Sequence, residues 1–152
     1  MSERLSGGQL LVEALIEHGV PRLFCVPGES FLAVLDALYD VPEHLPLITC
    51  RHESGAAFMA AASAQLSGQP GVCFVTRGPG AANASIALHV ARQASIPMVL
   101  CVGQVARDNL GRESFQEVDY ETFFAPFAKH VEQVTIGEAL PGAVARAFHI
   151  AR

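Results

Sequence analysis

Apolar positions along this chain follow two alternating rhythms. Mainly apolar runs over residues 22–26, 47–51, 72–76 and 98–102 have the length of strands, and the stretches between them carry helical spacing. Ser6-Gly7-Gly8-Gln9 has the Ser-x-x-Gln form of a capping box and opens a helix whose Leu11, Ala14, Leu15 and His18 share one face. Gly19 supplies its left-handed cap. The first strand stops at Pro27-Gly28-Glu29-Ser30, where Ser30 is placed to cap a helix carrying Phe31, Val34, Leu35 and Leu38. After a short connection over 41–46, the second strand runs directly into a helix of small residues from Glu53 to about Leu66, which Gly68-Gln69-Pro70-Gly71 breaks. The third strand is apolar throughout, as expected when both faces are covered, and meets Arg77-Gly78-Pro79-Gly80-Ala81-Ala82-Asn83 ahead of a helix to Gln93. Residues 103–121 then turn polar and irregular, a length that in a compact domain marks a binding loop. A strand over 129–134 and a helix from 137 onward close the pattern, with Pro141 tolerable only in that helix's first turn.

Strands alternating with helices at this spacing predict an α/β fold of three layers, a parallel sheet with right-handed crossovers and helices on both faces. Every loop that follows a strand then lies on one edge of the sheet, where open parallel sheets hold their ligands. Glu53 falls at that edge, at the junction of strand and helix. Two roles are open to it: a carboxylate stabilised by the helix dipole, or a chemical group in a shared crevice. The convergence of the loops at 27–30, 51–54, 77–83 and 103–116 favours the second.

Composition narrows the class. With 152 residues, 51% hydrophobic and 16% charged, the chain suits one compact domain over residues 1–152. No apolar run approaches the roughly 18 residues of a membrane span. The opening Met1-Ser2-Glu3-Arg4 and the glycine pair behind it lack the apolar core of a signal peptide, so cytoplasm is the expected compartment. A net charge of −5 with scattered bases and no aromatic-basic interleaving speaks against nucleic acid as a partner. Cys25, Cys50, Cys73 and Cys101 lie far apart in apolar runs, without metal-ligand spacing, and are expected as reduced core residues; no metal ligand is assigned to this chain. His52 and His89 are expected to be structural.

The segment from Gly78 to Asn83 partly fits the dinucleotide fingerprint G-x-G-x-x-G, but Asn83 replaces the third glycine and no acid follows the next strand. Taken together, Val26-Pro27-Gly28-Glu29, Arg51-His52-Glu53-Ser54-Gly55-Ala56, Thr76-Arg77-Gly78-Pro79-Gly80 with Asn83, Ser95-Ile96-Pro97, Phe115-Gln116-Glu117 and Lys129-His130 resemble another family. In order and spacing they are similar to the N-terminal pyrimidine-binding domain of thiamine-diphosphate-dependent enzymes, in the acetolactate synthase-like branch, and the resemblance covers essentially the whole chain.

The resemblance implies a carboligase or decarboxylase acting on a small 2-oxo acid. It makes Glu53 the catalytic carboxyl that hydrogen-bonds N1′ of the cofactor's aminopyrimidine and promotes formation of the ylide at C2. Pro27, Gly28, Gly78, Pro79 and Asn83 would join Glu53 in walling the cofactor, and Glu29, Phe115 and Gln116 would face substrate. The His-His pair of some decarboxylase relatives does not occur in its usual loop, which weighs against a pyruvate decarboxylase-type enzyme.

Relatives bind magnesium and the diphosphate through a separate domain bearing Gly-Asp-Gly, a triplet that does not occur here. The chain is therefore expected to be part of a larger enzyme, to lack the sheet's last strand, and to be inactive alone. Its implied partner is a diphosphate-binding domain of the same or a second subunit in a homodimer or homotetramer, with room for FAD in the full-length protein. The face of Gly55, Ala56, Ala57, Ala60 and Ala61 suits close helix packing, either across such an interface or within the domain. The rival expectations are a short natural subunit of a split enzyme and a nucleotide-binding module without catalysis, using Gly78 to Asn83.

Overall fold

A computed structural model describes residues 5–152; Met1 to Arg4, weighed above against a signal peptide, lie outside that span. Four parallel strands, β1 (Leu23–Cys25), β2 (Leu47–Thr49), β3 (Gly71–Val75) and β4 (Met98–Val102), pair in the order β2-β1-β3-β4. Helices α1 (Gly7–Glu17), α2 (Leu32–Tyr39), α3 (Glu53–Ser67), α4 (Gly78–Gln93), α5 (Tyr120–Phe124) and α6 (Leu140–Ala151) surround them. The α/β architecture expected from the apolar pattern is the one observed.

Successive side chains of a strand point to opposite faces, and that alternation builds the three layers. Leu23, Cys25, Val72 and Phe74 join Val12 and Leu15 of α1, Val34 and Leu38 of α2, and Phe148 of α6 in one core. Phe24, Cys73 and Val75 face the other way, onto Ala56, Ala57 and Ala60 of α3 and Ala84 and Ala87 of α4. Leu15 and Leu23 are fully buried, each worth about 1.5–3 kcal/mol relative to exposure.

The second core is built of small residues, so α3 rides close on the sheet. A Cβ at Gly71 would stand 2.0 Å from the Ala60 carbonyl oxygen, leaving room for hydrogen only. Both destinations had been open for the alanine face of this helix. Ala56, Ala57, Ala60 and Ala61 turn inward, onto the sheet and α4, while Gly55 has nothing within 4 Å.

Helix ends follow local chemistry. The capping box closes reciprocally, with Gln9 N–H donating to Ser6 Oγ at 3.2 Å and Ser6 N–H to Gln9 Oε1 at 2.8 Å. At the other end of α1, Gly19 at φ +71° lets its own N–H reach Ile16 O and that of Val20 reach Leu15 O, satisfying two orphan carbonyls. His52 caps α3, its Nδ1 accepting from Ser54 N–H at 3.2 Å, which gives one of the two structural histidines its task.

Three local expectations are corrected. Ser30 does not cap α2: it sits in a 3-10 turn, Glu29–Phe31, and its hydroxyl meets the Thr76 hydroxyl at 3.0 Å instead. Helix α4 starts at Gly78, earlier than the glycine-proline pattern suggests, because a proline in the first turn has no N–H to lose. Residues 129–134 form no strand. Side chains anchor the two ends of that stretch instead, Arg92 on Pro126 O and Ala128 O and Arg107 on Thr135 O, and it stays outside the sheet.

The four cysteines are free. Burial pushes the Cys25 thiol up to about 11 and that of Cys101 up to about 12. Among the described residues, no helix is long and apolar enough to cross a membrane.

Candidate active site

The strand order places β1 beside β3, although β2 and α3 intervene in sequence. Chain leaving β1 crosses to one side of the sheet and chain leaving β3 to the other, which opens a crevice at their carboxyl ends. The loop after β1 and the start of α4 meet there. Ser30 and Thr76 touch through their hydroxyls, and the Arg77 guanidinium donates to the Glu29 carboxylate.

Glu53 is the first residue of α3, half-buried, and its Oε2 accepts from Asn83 Nδ2 at 2.9 Å. Asn83 lies in the second turn of α4, so the pair ties the two helices of the small-residue layer at their N-terminal ends. Among the described residues Oε1 accepts no hydrogen bond. It faces Gly80, where a Cβ would lie 3.5 Å from Oε1 and 3.0 Å from Thr76 Cγ2. The glycine leaves the carboxyl a narrow open side.

Gly28 and Gly78 are confined by their neighbours. A Cβ at Gly28 would stand 2.6 Å from Thr76 Cβ, and one at Gly78 would stand 2.9 Å from both Gln116 O and Val118 Cγ2. Pro27 ends the strand loop and Pro79 occupies the first turn of α4; both are exposed. Gly78 N–H donates to Gln116 O at 2.9 Å, and Gln116 adopts φ +63° to present that carbonyl. Phe115 is mostly exposed, with the Arg77 guanidinium 5.9 Å from its ring centroid. The structure thus joins Glu53 to Asn83, Gly78 to Gln116, and Glu29 to Phe115 through Arg77.

The segment carrying Phe115 and Gln116 is braced by carboxylates. Glu117 accepts from Gly111 N–H at 2.6 Å and Ser114 N–H at 3.0 Å, and Asp119 caps α5 through Thr122. Backbone N–H donors hold Glu117 below the usual carboxylate range, and the Thr122 hydroxyl and N–H do the same for Asp119. A lowered folded pKa gives stability that is present above the ordinary value and lost as pH falls through the folded one. Amide exchange at Gly111 and Ser114, read by NMR after correction for intrinsic rates, is therefore expected to stay protected at neutral pH and to lose protection below about pH 4. Protection unchanged down to pH 2 would show that these carboxylates do not brace the loop.

Sequence reasoning placed Thr76, Arg77 and Gly80 in a motif at the ligand edge without giving any of them a role, and it did not single out Tyr120. Arg77 had a visible signal, a charge directly after an all-apolar strand at the ligand edge. Tyr120 had none. Among the described residues, the buried side-chain nitrogen and oxygen atoms without a hydrogen-bond partner are Arg77 Nε and the Tyr120 hydroxyl. In the same span no cluster of His, Cys, Asp and Glu could hold a metal ion.

Fold and site define an open parallel α/β domain whose polar groups gather at one sheet edge around a carboxyl–amide pair. The chain belongs to the family described as thiamine pyrophosphate enzyme, N-terminal TPP binding domain, whose model matches residues 5–123. It is 40% identical over 149 residues to the acetolactate synthase large subunit of Mycobacterium tuberculosis, covering 98% of this chain and 24% of that protein. Identity is 41% over 146 residues to the acetolactate synthase of Bacillus subtilis, covering 95% and 25%. It is 43% over 148 residues to the acetolactate synthase isozyme 2 large subunit of Escherichia coli, covering 97% and 26%. The chain spans about a quarter of the length of these relatives.

Proposed function

We propose that this chain is the cofactor-activating domain of a thiamine-diphosphate-dependent carboligase or decarboxylase acting on a small 2-oxo acid, with Glu53 as its proton relay. The observation that carries the reading is Glu53 itself, half-buried, anchored through Oε2 by Asn83, with Oε1 facing a glycine and accepting no hydrogen bond among the described residues. A carboxyl so held can share a proton with a ring nitrogen of fixed position, as general acid–base chemistry requires. Held by these residues, thiamine diphosphate would supply the nucleophilic chemistry that a 2-oxo acid requires.

The donor set suits the pyrimidine half of that molecule: a carboxyl for N1′ and bare backbone at Gly28, Gly78 and Gly80 for close approach. Pro27 and Pro79 stiffen the two walls, and Asn83 orients the carboxyl. Glu29, Phe115 and Gln116 stand at the substrate side. Among the described residues nothing comparable serves the anionic half, so the reading assigns diphosphate, magnesium and any FAD to domains outside this chain. It places residues 1–152 as one domain of a longer cytoplasmic enzyme, completed by a diphosphate-binding domain of the same or a second subunit in a dimer or tetramer. The quarter-length match to acetolactate synthases supports that division.

Calorimetry tests it directly. The isolated chain is expected to bind thiamine diphosphate weakly, with no gain from magnesium, and to show no turnover of 2-oxo acids. Tight, magnesium-dependent binding by this chain alone would overturn the division of labour.

A further inference from the structure

Arg77 is charged, yet its side chain is only 12% exposed, and Nε is buried without a hydrogen-bond partner among the described residues. Its counter-ion, Glu29, is 69% exposed and reaches the guanidinium from the loop after β1. The ring of Phe115 lies beside the same guanidinium. The cation is thus fixed by the fold, while the anion that neutralises it is a mobile-length side chain in water. An exposed ion pair is worth little, about 0–1 kcal/mol, whereas a buried donor left unpaired costs about 1–3 kcal/mol.

We propose, building on the function above, that Arg77 is the specificity residue that binds the carboxylate of the 2-oxo acid, with Glu29 as an internal stand-in that the substrate displaces. An incoming carboxylate would take the Nη2–H donors that Glu29 now occupies, in the charge-assisted geometry a guanidinium favours. Glu29 would swing into solvent, where it loses little. The location suits the chemistry, since Arg77 occupies the position just before α4 and Gly80, within the first turn of that helix, lies against Glu53 Oε1. Among the described residues the Tyr120 hydroxyl is likewise buried without a hydrogen-bond partner. Burial raises its pKa, and the Arg77 charge, which is near enough to act on it, pulls the other way.

The test uses the complete enzyme and oxamate, an unreactive 2-oxo acid isostere, with neutral oxamide for comparison, both followed by calorimetry. Wild type is expected to bind oxamate in preference to oxamide. Arg77→Met should weaken oxamate binding and raise the KM of whichever of pyruvate, 2-oxobutanoate and benzoylformate is consumed fastest, by roughly 10- to 100-fold, with a much smaller change in kcat. Arg77→Lys should recover part of the loss. Glu29→Gln should act in the opposite sense, tightening oxamate about 2- to 5-fold. Equal binding of oxamate and oxamide by wild type, or an unchanged KM in Arg77→Met, overturns the assignment, as does weaker oxamate binding in Glu29→Gln. Deuterium exchange at thiamine C2 in the wild-type enzyme separates the two levels. Its absence defeats the proposed function, whereas normal exchange with an unaltered Arg77→Met KM defeats this inference alone.

Discussion

Replacing Glu53 by Gln in the complete enzyme is expected to slow deuterium exchange at thiamine C2 by about 10²- to 10⁴-fold, the range for a positioned acid–base group. Glutamine preserves the size of the side chain, and its amide can still pair with Asn83, so the two helix ends should stay where they are. It cannot share a proton with a ring nitrogen. The loss should therefore appear in the exchange rate, with cofactor affinity changed far less, and NMR quench experiments read both in one titration. An exchange rate equal to wild type would remove Glu53 from the mechanism. Asn83→Ala makes a useful companion, because it leaves the carboxyl present but frees the Oε2 that Asn83 now holds at 2.9 Å.

Gly71→Ala is expected to carry the largest cost in stability of any single-methyl change in the sheet. The new Cβ would meet the carbonyl oxygen of Ala60 at 2.0 Å and its carbonyl carbon at 2.6 Å, and backbone cannot rotate away as a side chain can. Either β3 or the whole of α3 must shift. Overpacking of this kind typically costs about 1–3 kcal/mol, and the upper end is expected here. For a domain of this size that lowers the melting temperature by roughly 6–12 °C. Gly55→Ala is the internal control, since that position is helical with nothing within 4 Å and should gain about 0.4–1 kcal/mol. Differential scanning calorimetry on the pair would show opposite signs; a Gly71→Ala variant as stable as the parent would mean the small-residue layer is slack. Because Glu53 heads the displaced helix, the same substitution should also disturb the carboxyl–amide pair.

Most of the scaffold was legible in the chain because its signals are local. Four apolar runs became the four strands, and the capping box and Gly19 marked both ends of α1 to the residue. The position of Glu53 at a strand–helix junction followed from the same rhythm. What escaped was set by partners distant in sequence. Residues 129–134 have the composition of a strand, but the stretch stays outside the sheet, and the carbonyls on either side of it are held by Arg92 and Arg107, 34 to 36 and 28 residues away. Ser30 has the right residue type for a helix cap, yet a hydroxyl 46 residues away claims it. Arg77 was placed at the ligand edge but given no role for a related reason: the partners it meets, Glu29 and Phe115, are not its neighbours in the chain.

The strand order β2-β1-β3-β4 also bears on how the chain is made. During synthesis β2 can join one edge of β1, β3 the opposite edge, and β4 the free side of β3, so no strand has to wedge between two already paired. The sheet can grow outward as the ribosome delivers it, and Glu53 can find Asn83 once α4 has emerged. The crevice is finished later, when the segment bearing Gln116 arrives and its carbonyl receives the Gly78 N–H. A nascent chain released between those two moments would carry its acid and asparagine in place and still lack one wall.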